Sequence, residues 1–248
     1  MNKIYINNTK NYYREYFIDD EARPTIVISA GGGYKYTSPR ESEPVQGAYN
    51  KNGYHVVIVN YREDTTEVYP TPSNHLAYVL RLLRNDKRVT KLIGIGFSAG
   101  GHNILEVALH PDLYKVSLDL LMLAYPVVTS DERYSHKGSF VELLKDKYKD
   151  DGLRKRVSLE NEVTKNAPDL FLWTTFTDES VNVMNSLLLM QAYKKADCNL
   201  ECHIFPMGGH GLSLATKETC ANDENKIIPY IEDWLNMSLK WLNYKLSE

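Results

Sequence analysis

The sequence predicts an α/β fold, with a mostly parallel sheet covered by helices on both faces. Two observations carry that reading. Continuous β-branched runs alternate with amphipathic helical patterns along most of the chain, and a glycine-flanked serine stands where one apolar run turns into a helical one. The length of 248 residues suits one α/β domain, so residues 1–248 are read as a single unit. At 43% hydrophobic and 25% charged residues, the chain has enough apolar material for a sizeable core.

In chain order, Thr25-Ile26-Val27-Ile28-Ser29 reads as a buried strand stopped by Gly31-Gly32-Gly33. His55-Val56-Val57-Ile58-Val59-Asn60 is a second, continuous and β-branched as a strand covered on both faces should be. A helix over 74–84 puts Leu76, Val79, Leu80 and Leu83 on one face, with Ser73 or Asn74 as its cap. Residues 91–97 form a third strand, and 99–109 a helix apolar on most sides, as a centrally packed one must be. Further strands are expected over 118–125, 169–175 and 201–205, with helices over 181–195 and 227–246. The last helix carries Ile231, Trp234, Leu235, Leu239 and Leu242 at helical spacing, a core stripe. Residues 129–165 break the alternation; charged and flanked by strands, they are read as a small helical cap insertion.

Several function classes are disfavoured. A net charge of −3 gives no reason to expect nucleic acid or an anionic membrane as partner. No stretch approaches the roughly 18 apolar residues that span a bilayer, and no signal-peptide pattern opens the chain. Cys198, Cys202 and Cys220 form neither a disulfide framework nor a zinc pattern. Free thiols, a cytoplasmic location and no metal or organic cofactor are the resulting expectations. The 18 tyrosines are read as half-buried packing before ligand contacts.

The chemistry is concentrated in Gly96-Phe97-Ser98-Ala99-Gly100-Gly101. A strained strand-to-helix turn lifts a serine hydroxyl above the sheet, and glycines two residues to either side remove side chains that would collide in the bend. A hydroxyl needs a base. His210, in the loop Gly208-Gly209-His210-Gly211 after the last strand, can reach the sheet's carboxyl edge. His102 is expected to pack inside its helix, while His136, in the cap, could touch substrate. The base needs an acid to fix its tautomer. Asp178 follows the strand 169–175 on the same edge; Glu179 is adjacent, and Asp169 starts the strand at the wrong edge. For the oxyanion, the Ala99 amide is the first expected donor, with Gly32 or Gly33 supplying the second. Tyr34, which closes the glycine run, is the expected substrate-binding side chain.

Taken together, Gly31-Gly32-Gly33-Tyr34, Asn60-Tyr61-Arg62, the serine segment through His102, Asp178 and Gly209-His210-Gly211 resemble the α/β-hydrolase superfamily. Within it, they are similar to small bacterial carboxylesterases related to acetyl-xylan and feruloyl esterases. Where such proteins often have His-Pro or Cys-Pro before the glycines, this chain has Ser29-Ala30, which leaves open which glycine amide meets the oxyanion. The resemblance implies support of the site by Glu41 or Glu43 and by Arg62; a surface salt bridge is the competing role for each. It also implies hydrolysis of short-chain esters, such as acetate on a small alcohol or sugar. Two alternatives stand beside it: a small serine peptidase, and a hydrolase-fold ligand-binding protein without catalysis.

Overall fold

A computed structural model describes residues 2–247. The chain opens with an antiparallel hairpin, β1 (Ile4–Tyr5) and β2 (Tyr12–Tyr16), which precedes β3 (Arg23–Ser29). There follow α1 (Glu43–Asn50), β4 (His55–Asn60), α2 (Thr71–Arg84), β5 (Val89–Phe97), α3 (Ser98–Leu109), α4 (Pro111–Tyr114) and β6 (Leu120–Ala124). The second half holds α5 (Lys137–Leu144), α6 (Asp151–Arg156), β7 (Asp169–Thr175), α7 (Met184–Lys195), β8 (Leu200–Phe205), α8 (Pro229–Glu232) and α9 (Trp234–Ser247).

All eight strands form one sheet in the order β1-β2-β4-β3-β5-β6-β7-β8. From β4 onward every neighbouring pair is parallel, so the carboxyl ends of β3, β5, β6, β7 and β8 share one edge.

The two-residue period of a strand sends alternate side chains to opposite faces. Val27, Val57, Leu92, Leu121 and Leu172 meet Leu76 and Leu80 of α2, Ile104 and Leu105 of α3 and Leu189 of α7 in one apolar layer. Ile26, Ile28, Ile58, Ile95 and Trp173 meet Val45 and Tyr49 of α1 and Trp234 and Leu242 of α9 in the other. Both faces are therefore dry, which explains why the central strands read as unbroken apolar runs.

Three departures from the expected helix boundaries have a definite place in the fold. Helix α2 starts at Thr71, with Pro72 in its first turn, where the missing N–H costs no helical bond. Ser73 therefore lies inside the helix and donates its hydroxyl to Asn103 at 2.9 Å instead of capping. Helix α7 starts at Met184 because the amides of Ser180 and Val181 are taken by the Asp178 carboxylate. The helix over 227–246 is split at Asp233 into α8 and α9, yet Ile231, Trp234 and Leu242 of its stripe are fully buried.

Residues 129–165 do fold as short helical pieces: α5, a 3₁₀ turn over Lys145–Lys149, α6 and another 3₁₀ turn over Leu159–Asn161. Phe140, Leu143, Leu144, Val157 and Leu159 of this segment are buried in the same layer as α2 and α3. Arg156 also reaches the fully buried Glu106 of α3 through two hydrogen bonds of 3.1 and 2.9 Å. The insertion is clamped to the body. All three cysteines are free, and among the described residues no helix is long and apolar enough to cross a membrane.

Candidate active site

Strand β5 ends at Phe97, and Ser98 begins α3 with φ of 51°, in the left-handed region that non-glycine residues occupy at a cost of about 1–3 kcal/mol. The flanking glycines let the turn close. A Cβ on Gly100 would stand 2.0 Å from the carbonyl oxygen of Ser29 and 2.3 Å from that of Ala30, so α3 seats against the end of β3 only without a side chain there. Likewise, a Cβ on Gly96 would meet the Gly101 Cα at 2.6 Å.

Three side chains from distant parts of the chain meet above the carboxyl edge. Ser98 Oγ lies 2.8 Å from His210 Nε2, and His210 Nδ1 lies 2.7 Å from Asp178 Oδ2. Asp178 accepts the backbone amides of Ser180 and Val181 on its other oxygen, both at 2.9 Å, and its side chain is fully shielded. Because a carboxylate only accepts, Nδ1 carries the proton and Nε2 is left as the acceptor for the serine hydroxyl. The neighbouring acids are elsewhere. Glu179 is exposed, and Asp169, at the start of β7, pairs with Lys245 at 2.9 Å.

The histidine loop is held from two sides. Arg40 donates to the carbonyls of Gly211 (3.0 Å) and Thr219 (3.2 Å), and the Tyr125 hydroxyl accepts the amide of Ser213 at 2.9 Å. The Tyr125 and His210 rings also meet in a T-shaped contact, with centroids 5.1 Å apart. Tyr125 donates to Glu41 Oε1 at 2.7 Å, and Glu41 Oε2 accepts the amide of Gly31 at 2.8 Å. Burial, and after it the Glu41 charge, push the Tyr125 phenol well above its ordinary pKa, so it stays a donor.

Of the two candidate supporting glutamates, Glu41 is therefore the one at the site; Glu43 pairs with Arg14 at the surface. The Gly31 amide is committed to Glu41. Those of Gly32 and Gly33, which line the cleft, make no hydrogen bond within the chain among the described residues. Helix α3 begins without a side-chain cap, leaving the amide of Ala99 among its unsatisfied first-turn donors.

Arg62 is buried and forms no salt bridge among the described residues. It donates to the backbone carbonyls of Tyr34, Asp64, Thr65, Glu67 and Glu142, tying the segment after the glycines to α5. A salt-bridge role is thereby replaced by a scaffold role.

Tyr34 is a correction. Its side chain is only 1% exposed and turns into the core, where its hydroxyl lies 2.8 Å from His102 Nδ1. It cannot form a substrate wall. Adjacency to a glycine run does not fix where an aromatic side chain points; at Tyr34 φ is 59° and the ring is held in the core by His102. His102 packs inside as expected, with Nε2 2.8 Å from the carbonyl of Val157, and burial lowers its pKa.

The cleft over Ser98 measures about 420 Å3. Besides Ser98, His210 and the glycines, its walls carry Lys35, Tyr36, Ser38, Arg40, His136, Ser180 and Lys226, with no aliphatic side chain among them. Tyr125 is absent from the motif-based reading, although its place one residue past the end of β6 was a usable signal: site residues gather at strand carboxyl ends. Among the described residues, no cluster of three or more His, Cys, Asp or Glu side chains is placed to hold a metal ion.

A serine raised at positive φ off a parallel sheet, next to a histidine from the loop after the last strand, assigns the chain by fold and site to the α/β hydrolases. More particularly, it belongs to the prolyl oligopeptidase family, whose model matches residues 77–238. In solved structures it is similar to the acetyl ester-xyloside bifunctional hydrolase of Caldicellulosiruptor lactoaceticus, at 30% identity and a TM-score of 0.83, over 96% of this chain and 89% of that one. It is 31% identical over 218 residues to endo-1,4-beta-xylanase B of Butyrivibrio fibrisolvens, covering 81% of this chain and 34% of that protein. To the acetylxylan esterase of Xylanibacter ruminicola it is 32% identical over 203 residues, covering 77% of this chain and 41% of that protein. The chain thus spans roughly a third to two-fifths of the length of these two curated relatives.

Proposed function

We propose that the chain is a serine esterase that removes short acyl groups, acetate foremost, from a small polar alcohol or sugar. The observation that carries this reading is the continuous line from Ser98 through His210 to Asp178, at 2.8 and 2.7 Å. His210 Nε2 takes the hydroxyl proton as Ser98 Oγ attacks the ester carbonyl. Asp178 holds the ring in the required tautomer and stabilises the imidazolium that forms. The carbonyl oxygen, now an anion, is received by the amide of Ala99 and those offered by Gly32 and Gly33. Each such donor is worth roughly 10²–10³ in turnover.

Collapse of the tetrahedral adduct breaks the ester C–O bond, and His210 returns its proton to the departing alkoxide. Water then attacks the acyl-serine, giving up a proton to His210; the acyl C–Oγ bond breaks, His210 returns the proton to Ser98 Oγ, and the acid leaves.

The polar cleft supports the choice of substrate. Its lining side chains offer hydroxyl, ammonium, guanidinium and imidazole groups, and no Val, Leu, Ile or Met lines it to receive a long acyl chain. Relatives named for acetyl ester or acetylxylan chemistry point the same way. The family's name raises peptide cleavage as the second reading. A free peptide amine would need an open carboxylate, and Glu41, the acid on the cleft wall, already accepts hydrogen bonds on both oxygens. Turnover of p-nitrophenyl acetate and acetylated xylo-oligosaccharides against an amino-acid p-nitroanilide separates the two. Ester cleavage abolished by Ser98→Ala is expected; anilide cleavage without ester cleavage rejects the esterase reading.

A further inference from the structure

His136 caps the start of α5 and lines the cleft that holds Ser98 and His210. Its Nδ1 is committed. The amide of Ser139, which can only donate, is shared between the His136 carbonyl at 3.0 Å and Nδ1 at 3.3 Å, and the hydroxyl of the fully buried Ser139 lies 2.8 Å from Nδ1. A ring nitrogen that accepts a backbone N–H bears no proton, so in the neutral imidazole the proton sits on Nε2. Burial, followed by the proximity of His210, lowers the pKa of His136 and keeps the ring in that neutral form.

The ring's Cε1, the atom bonded to Nε2, faces the glycine loop, and Nε2 lies beside the first turn of α5. A Cβ on Gly33 would lie 4.0 Å from His136 Cε1, and one on Gly138 would lie 3.9 Å from Nε2. Two residues before Gly33, a Cβ on Gly31 would lie 2.9 Å from the Cβ of Ser98. A single donor of fixed tautomer is thus held on the wall of the reaction cleft, with no acceptor from the chain among the described residues.

We propose that His136 Nε2–H donates to an oxygen of the alcohol part of the ester, selecting acetyl esters of polyhydroxylated alcohols over those of aryl or alkyl alcohols. This rests on the esterase reading. An acetyl group brings one oxygen, the carbonyl, and that is received by backbone amides. Any further substrate oxygen within reach of a wall donor therefore belongs to the alcohol. Sites built to bind a hydroxyl discriminate against analogues that lack one, because the buried donor is then left unpaired.

The test is the selectivity ratio, kcat/KM for acetylated xylobiose divided by kcat/KM for p-nitrophenyl acetate. His136→Phe, which keeps the ring's bulk but has no donor, should lower this ratio by about tenfold, mainly through KM for the sugar ester. His136→Gln, which restores an N–H, should recover most of it. A ratio unchanged in His136→Phe, or equal loss on both substrates in both variants, overturns the proposal. Should the variants fail to fold, wild-type enzyme with a deoxy acetyl xyloside, which lacks the accepting oxygen, gives the same readout. An undiminished kcat/KM there counts against His136 as donor, and a loss of about tenfold supports it. Fluorophosphonate labelling of Ser98 keeps the two claims apart: no labelling of the wild type removes the esterase reading itself, whereas labelling with an unmoved ratio removes only the role of His136.

Discussion

Tyr125 donates its phenolic proton to Glu41 at 2.7 Å, and this buried pair joins the two loops that the proposed reaction needs. Glu41 holds the amide of Gly31 at the start of the glycine loop, while Tyr125 holds the amide of Ser213 three residues past His210. One chain of hydrogen bonds therefore ties the glycine loop to the loop that carries His210.

Glu41→Gln tests that chain. A carboxylate accepts on both oxygens, but an amide presents one acceptor and one donor, so either the Gly31 N–H or the Tyr125 O–H faces an N–H instead. Denaturant unfolding should show a loss of about 1–3 kcal/mol. Ester turnover should fall further than stability accounts for, with kcat affected more than KM. Unchanged kcat in a folded variant would mean that the pair does not govern the loops.

Tyr125→Phe leaves Glu41 Oε1 and the Ser213 amide without their shared partner. The expected result is an approximately tenfold lower kcat with KM near the wild-type value, from a less ordered His210 loop, read by steady-state kinetics on p-nitrophenyl acetate.

Gly100→Ala should prevent the turn at Ser98 from closing, since the added Cβ would stand 2.0 Å from a backbone oxygen that has no room to move. Overpacking of this kind typically costs 1–3 kcal/mol, occasionally more, and backbone contacts lie at the upper end. A lower midpoint of thermal unfolding, with activity lost even where the fold survives, is expected. A variant of wild-type stability and activity would contradict the seating of α3 on β3.

Stability should fall as pH drops below about 6.5. His102 is fully enclosed, with Tyr34 on one nitrogen and the Val157 carbonyl on the other, and burial holds its pKa below the unfolded value. Between the unfolded and folded pKa values the unfolded chain binds the extra proton, so stability rises with pH across that window and is lost as pH falls through it. His75, also lowered by burial, adds in the same direction. Thermal unfolding from pH 7 to 5 should show this slope, and His102→Asn should flatten it; an unaltered slope would rule out His102 as a source.

The site is legible in the sequence to the extent that local rules determine it. Ser98 announces itself because a tight strand-to-helix turn needs glycines at 96 and 100, a requirement visible without neighbours. His210 and Asp178 follow from the shared strand edge, since a parallel sheet brings the carboxyl ends of β5, β7 and β8 together. What is not legible depends on tertiary direction. Tyr34 points inward to a partner on another element, His102, and Glu41 prevails over Glu43 because only its carboxylate meets Gly31 and Tyr125.

Elsewhere in the fold the same division holds. The central strands are apolar on both faces and stand out as runs, whereas β1 and β2 at the sheet's margin mix polar and aromatic residues and carry no such signal. Helix α1 is only eight residues long and holds Pro44 and Gly47, so its breakers hide it in the sequence although Val45 and Tyr49 pack in the core.

The central claim, that Ser98 is a nucleophile activated by His210, is tested most directly by fluorophosphonate labelling of the folded protein with peptide mapping of the adduct. The wild type should carry one adduct, on Ser98, with His210→Ala labelling more slowly by orders of magnitude and Ser98→Ala not at all. Labelling at another residue, or none in protein that hydrolyses esters at full rate, would contradict it.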